Sequence, residues 1–187
     1  MSGSSQSEGV TELVRIGILT ISDRASRGEY RDESGKAIHA FLDKVISSPW
    51  TPIVKIVPDG VESVAAALTE MADRDGCGLV LTTGGTGPAP RDLTPEATRA
   101  VITRELAGFG ELMRQKSLEQ VPTAILSRQT AGTRGKCLIV NLPGRPSSIE
   151  LCLNAVFPAI PYCLDLIGAG RIEARADVCR VFRPGGA

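Results

Sequence analysis

Short apolar runs alternate along this chain with longer stretches in which apolar residues recur every three or four positions. Ile16 to Ile21, Ile53 to Val57, Leu79 to Thr83 and Cys137 to Leu142 are too continuously apolar for surface strands and read as buried ones. Between them, Ser34 to Ile46 places Ile38, Phe41, Leu42, Val45 and Ile46 at helical spacing, with Pro49 and Pro52 bracketing its exit. Val61 to Asp75 repeats the pattern through Val64, Ala67, Leu68 and Met71. Helices are also expected over Pro95 to Arg104 and from about Phe109 to Glu119, separated by Gly108. Ala124 to Leu126 fits either a short strand or a helical turn, and Thr133-Arg134-Gly135 reads as a turn. A last helical region starts near Pro146 and is broken at Pro158 and Pro161. Alternating apolar strands and amphipathic helices predict an α/β fold: a three-layer, doubly wound, mostly parallel sheet with helices on both faces.

That architecture has a consequence for function, because ligands of open α/β sheets bind outside the carboxyl ends of the strands. Four predicted strand exits carry polar, ligand-type residues: Ser22-Asp23, Asp59, Thr83 to Asp92, and Asn141 to Gly144. Core packing does not require such residues there, and their coincidence at one sheet edge points to a single site.

The richest exit is Thr82 to Glu96, which reads TTGGTGPAPRDLTPE. Gly84, Gly85 and Gly87 allow positive φ and close approach of the backbone to a ligand. Successive N–H groups in such a turn form an anion-binding concavity, and Thr94 as N-cap with Pro95 behind it starts a helix whose positive end faces the same way. Arg91 adds a cation suited to phosphate, and Asp92 a carboxylate suited to Mg²⁺. The alternative is a glycine-rich connection that binds nothing, but hydroxyls, arginine and aspartate packed into the same turn favour a phosphate loop. The loop lacks the Gly-Lys-Ser/Thr of a Walker sequence, and Pro90 occupies the third glycine position of a dinucleotide fingerprint.

Composition narrows the partners. The 187 residues suit one domain, taken as 13–182, between a Ser/Gly-rich N-terminal tail (1–12) and a fraying end (183–187). Formal net charge is zero, which gives no global electrostatic case for nucleic acid or an anionic membrane. No apolar run reaches the roughly 20 residues of a membrane-spanning helix; Ala155 to Gly170 comes nearest but contains Pro158, Pro161 and Asp165. Five cysteines, without C-x-x-C pairs or zinc-ligand spacing, suggest reduced thiols and a cytoplasmic protein.

The same inventory narrows the chemistry. His39 is the single histidine and lies in a predicted helix, which leaves no basis for Ser-His-Asp, Cys-His or histidine-ligated zinc mechanisms. Aspartates, hydroxyls, backbone amides and arginine remain, a set suited to phosphoryl or nucleotidyl transfer, in which the protein mainly positions reactants. A phosphate nucleophile is already anionic near neutral pH and needs no strong base. Asp59 and Asp92 are then the natural Mg²⁺ carboxylates, whereas Asp23 is better explained as a helix cap or turn residue.

Ile-Ser-Asp-Arg at 21–24, Asp32 to Gly35, Pro58-Asp59, Thr-Thr-Gly-Gly-Thr-Gly-Pro at 82–88, Arg-Asp-Leu-Thr-Pro-Glu-Ala-Thr at 91–98, Leu-Ser-Arg at 126–128 and Asn-Leu-Pro-Gly at 141–144 together resemble one family. It is the molybdopterin adenylyltransferase family of the bacterial MogA type, related to gephyrin G domains, and the match runs from about Arg15 to Ile167. The resemblance implies ATP- and Mg²⁺-dependent transfer of AMP onto the terminal phosphate of molybdopterin, a homotrimer, and a molybdate-insertion enzyme as a partner. It implies that Asp59 and Asp92 handle metal and reacting phosphates, and that Thr83, Gly84, Gly85, Thr86 and Gly87, with Arg91, Thr94, Pro95 and Glu96, hold the nucleotide. Ser127, Arg128, Asn141, Pro143 and Gly144, with Ser22, Asp23 and Ser34, would bind the pterin. A non-catalytic molybdopterin-binding or scaffold module is the alternative, against which the retention of both Asp59 and Asp92 argues.

Overall fold

The computed structural model describes residues 13–185; the predicted tail (1–12) and the last two residues lie outside them. Six strands form one sheet: β1 (Val14–Ile21), β2 (Trp50–Val57), β3 (Cys77–Thr83), β4 (Arg104–Glu105), β5 (Ala131–Arg134) and β6 (Cys137–Leu142), in the spatial order β2-β1-β3-β6-β5-β4. The first four in that order are parallel, and β5 and β4 complete the sheet antiparallel. The doubly wound, mostly parallel α/β architecture is borne out.

Two apolar clusters explain why the central strands read as unbroken hydrophobic runs. Ile16 and Ile18 of β1, Leu79 and Leu81 of β3, and Leu138 and Val140 of β6 point to one face. After a single helical turn, α1 (Asp23–Ser26), they are covered there by α2 (Glu33–Val45), α5 (Ala107–Leu118), α6 (Pro146–Val156) and α7 (Ile160–Ile167). The alternate positions Leu19, Ile21, Val80 and Ile139 point to the other face, under α3 (Val61–Thr69) and α4 (Thr94–Val101). Among the described residues one helical stretch, Pro146–Ile167, is long and apolar enough to cross a membrane by composition. Its apolar side chains Ile149, Cys152, Leu153, Phe157, Ile160 and Leu164 are instead buried in the core.

Several boundaries differ from the sequence expectation. Pro52 does not end a loop but sits inside β2, an edge strand where a missing N–H breaks no ladder. The helix expected through Arg104 stops at Val101 because the chain turns extended at Ile102 and Thr103 donates its N–H to Thr133 at 2.7 Å. That contact starts the β4–β5 pair, so Thr133 and Arg134 belong to a strand and the turn lies beyond them, at Gly135 with φ 53°. Two elements too short for a periodicity signal thereby close the sheet. Ala124–Leu126 lies in a 3₁₀ turn, Pro122–Leu126. Arg183, read as the start of a fraying end, donates to Asp165 at 2.6 Å and to the carbonyl of Ile172 at 2.9 Å.

All five cysteines are free thiols. Burial pushes Cys77 up to about 11 and Cys137 further still, and it raises Cys152, Cys163 and Cys179 as well. Since the thiolate is the reactive form, iodoacetamide at pH 8 should label the half-buried Cys163 and Cys179 well before Cys77, Cys137 and Cys152. Rapid labelling of Cys137 in the native state, read by peptide mass spectrometry, would show instead that the β3–β6 core opens locally.

Candidate active site

Strand order reverses between β1 and β3, because β2 lies to one side of β1 and everything after it to the other. A crevice opens outside the carboxyl ends of strands at such a switch point. Two loops meet there: Ser22-Asp23 after β1, and the glycine loop after β3. Gly84, at φ 99°, packs directly on the Ile21 carbonyl, with no room for a Cβ. A cavity of about 150 Å³ lies beside this contact, lined by Ser22, Tyr30, Asp32, Ser34, Thr83, Gly84 and Gly144 among others. Ser34 donates to the Gly144 carbonyl at 2.7 Å and Thr83 to that of Pro143 at 2.8 Å, which ties the β6 exit to the other two.

Both predicted metal-type carboxylates reach the glycine loop. Asp59, in the turn after β2, accepts the Asp23 N–H through Oδ2 at 2.9 Å, and Asp23 returns the bond by accepting the Asp59 N–H through Oδ1 at 3.1 Å. Asp59 Oδ1 lies 3.6 Å from the point where Gly85 would carry a Cβ. Asp92 Oδ2 accepts the Ala89 N–H at 3.1 Å and lies 2.7 Å from the corresponding point on Gly87. Each carboxylate is thus held by one oxygen and keeps the second without a protein donor among the described residues. Asp23 also pairs with Arg91, Nη2 to Oδ2 at 2.5 Å. Ser22, not Asp23, is the helix cap, accepting the Ala25 N–H at 3.2 Å, so Asp23 instead braces the Asp59 turn.

Three expectations about the loop need correction. Gly84 and Gly85 adopt positive φ, 99° and 63°, but Gly87 does not; it is small because Asp92 approaches it. Thr94 is not an N-cap: α4 begins with it, and its hydroxyl donates to the Gly84 carbonyl at 2.9 Å while its N–H donates to Gly85 at 3.1 Å. Helix and loop are therefore stapled together, and Pro95 takes the second helical position rather than the expected first. Arg128, expected on the pterin, and Glu96, expected on the nucleotide, instead bind each other in a forked ion pair. That bond holds Glu96 below the usual glutamate range, against a smaller upward effect of burial.

Two pterin-side candidates also point elsewhere. Asn141 is fully buried and outside the cavity; its amide donates to Thr82 at 3.1 Å and Thr98 at 2.9 Å, joining β6, β3 and α4 beneath the loop. The Ser127 hydroxyl donates to Gln129 Oε1 at 2.7 Å.

A family profile described as "Probable molybdopterin binding domain" matches residues 17–162. The chain belongs to this family. Molybdopterin adenylyltransferase of Helicobacter pylori is 53% identical over 173 residues, covering 92% of this chain and 98% of that protein. The Escherichia coli K12 protein of the same name is 44% identical over 183 residues, covering 91% and 94%. Among solved structures, the molybdopterin biosynthesis enzyme MoaB from Thermus thermophilus matches with a TM-score of 0.77 at 44% identity, covering 85% of this chain and 99% of that one. The resemblance read from the motifs is borne out.

Within this domain, Tyr30 and Asp32 are polar cavity residues that were not among the expected site residues. Tyr30 is half exposed in the loop before α2, with the Arg24 guanidinium 5.2 Å from its ring centroid. Its signal in the sequence is an aromatic residue inside an otherwise polar strand exit, Arg27 to Ser34. Asp32 supports the same wall: it accepts from Thr20 at 2.8 Å and caps α2 through the Gly35 N–H at 2.8 Å.

Proposed function

We propose that this chain is a nucleotidyltransferase of molybdenum cofactor biosynthesis, moving AMP from ATP to the terminal phosphate of molybdopterin. A phosphate oxygen of the pterin attacks the α-phosphorus, the bond to the β-phosphate oxygen breaks, and pyrophosphate leaves. The observation that carries the reading is the convergence of Asp59 and Asp92 on the glycine loop at the switch point. The names of relatives matched over nearly their whole length support it.

In this reading the backbone N–H groups of Gly84, Gly85 and Thr86, with the start of α4 behind them, receive the nucleotide phosphates. Arg91, exposed beyond Asp23, offers its remaining donors to the same anion. Ser22, Ser34, Pro143 and Gly144 form the wall where the pterin phosphate would enter. Asp59 and Asp92 suit Mg²⁺, which takes one or two carboxylates together with substrate phosphates; their unpartnered oxygens are the donors such an ion needs. Bound there, Mg²⁺ supplies neutralisation of phosphate charge. Asp23 keeps Asp59 aimed at the loop, and the Ala89 N–H does the same for Asp92. The homotrimer implied by the family would have exposed apolar residues available on and after α5, among them Leu112, Ile125 and Leu126.

The deciding assay mixes protein, molybdopterin, ATP and Mg²⁺ and follows adenylylated pterin by mass spectrometry alongside pyrophosphate. Metal-dependent product supports the transferase; tight pterin binding without product would make the chain a binding module. Asp59→Asn should lower kcat by about 10²-fold. Its fold should persist, since the amide oxygen can still accept the Asp23 N–H. A variant with a normal rate and a lower unfolding midpoint would reduce Asp59 to a turn brace.

A further inference from the structure

Arg128 follows the 3₁₀ turn and crosses to the glycine loop, more than thirty residues away in the chain. Its backbone N–H donates to the Thr86 carbonyl at 2.8 Å, and its Nε to the Gly87 carbonyl at 2.8 Å. Nη2 donates to the main-chain carbonyl of Asp92 and to Glu96 Oε2, the latter at 3.2 Å, while Nη1 donates to Glu96 Oε1. A guanidinium has five N–H donors, and four of these are engaged inside the protein. Its charge is balanced by Glu96, and it does not line the cavity beside Ser22 and Ser34. A residue meant to hold a phosphate would keep its fork free.

We propose that Arg128 and Glu96 form a positioning pair that sets the glycine loop and Asp92 for the nucleotide, rather than ligands of pterin and ATP. By occupying the carbonyls of Thr86, Gly87 and Asp92, Arg128 turns one side of the loop inward. The intervening N–H groups and the Asp92 carboxylate then face the ligand. Glu96, in the first turn of α4, anchors the guanidinium to the same helix that is stapled to Gly84 through Thr94. The planar fork matters: a lysine ammonium is a single point and cannot bridge Gly87, Asp92 and Glu96 together. The inference rests on the phosphate-loop reading for its ligand, though the clamp itself can be tested without one.

The test compares the full-length chain with Arg128→Ala, Arg128→Lys and Glu96→Gln. Hydrogen exchange of the Gly85, Thr86, Gly87 and Ala89 amides is measured without ligand, and ATP affinity, molybdopterin affinity and kcat separately. In Arg128→Ala the loop amides should exchange about tenfold faster and the Kd for ATP should rise about tenfold, the loss expected for charged hydrogen bonds. The Kd for molybdopterin should stay within about twofold, and Arg128→Lys should recover little. Glu96→Gln, which keeps one acceptor, should show the same pattern more weakly and guards against a misfolded alanine variant. Weaker molybdopterin binding with unchanged loop exchange would make Arg128 a pterin ligand and overturn the proposal. Unchanged exchange with unchanged affinities would overturn it too. Absence of ATP binding by the wild-type chain would sink the phosphate-loop reading, while loop exchange would still decide whether the clamp exists.

Discussion

Asp92→Asn is expected to lower kcat by about 10²–10³-fold, the scale of losing a metal-type carboxylate that supplies several kcal/mol of charge stabilisation. The structure indicates that this loss should come almost free of any effect on folding. The contact that seats the side chain is the Ala89 N–H donating to one carboxylate oxygen at 3.1 Å, and an asparagine oxygen can accept the same bond. Arg128 grips Asp92 through its main-chain carbonyl, which the substitution leaves alone. The neutral amide removes only the charge and one strong oxygen donor. Turnover at saturating ATP and molybdopterin, measured over a Mg²⁺ titration, separates the two effects. A variant whose rate recovers at high Mg²⁺ has lost metal affinity; one that stays slow has lost transition-state stabilisation. A near-normal kcat at ordinary Mg²⁺ would remove Asp92 from the mechanism, and a shifted urea midpoint would mean that its charge holds the loop.

Much of this site was readable in the chain because its parts are local. β1, β3 and β6 are buried on both faces, so Ile16 to Ile21, Leu79 to Thr83 and Cys137 to Leu142 stand out as predominantly apolar runs. The polar residues just after them mark the sheet edge where ligands bind. What stayed hidden depends on pairs distant in sequence. β4 and β5 are held by partner strands rather than by their own periodicity, and β4 is just Arg104–Glu105. Thr94 precedes proline at a helix start, where a capping hydroxyl is the default, yet the Gly84 carbonyl ten residues earlier takes that hydroxyl. Arg128 and Glu96 carry opposite charges that look like ligand groups singly and neutralise each other only when folded. Asn141 reads as a strand-exit donor, but side-chain alternation turns it inward, toward Thr82 and Thr98.

Gly84→Ala should be the most damaging single-methyl change near the site, costing about 2–5 kcal/mol. Two terms add. Gly84 sits at φ 99°, and moving an L-residue into positive φ costs roughly 1–2 kcal/mol. The added Cβ would also strike the Ile21 carbonyl oxygen, and overpacking of this kind costs roughly 1–3 kcal/mol. The clash is with backbone that cannot rotate aside, since Ile21 is the last residue of β1 and buried. Gly28→Ala separates the two terms: its φ is 73°, but nothing lies within 4 Å of the new methyl. Urea unfolding of the two variants should therefore show a much larger loss for Gly84, with Gly28 near the conformational cost alone. Equal losses would mean that the β1 and β3 exits are not packed tightly enough for a methyl to matter. In that case the crevice at the switch point would be looser than the site chemistry requires. If Gly84→Ala does part the two exits, Ser22 and Asp23 move away from the loop together with Asp59, which is bonded to Asp23 in both directions. Activity should then fall below what the loss of folded protein accounts for, because the Gly84–Ile21 contact, together with the bonds of Arg91 to Asp23 and Asp59, sets the distance between the glycine loop and Asp59.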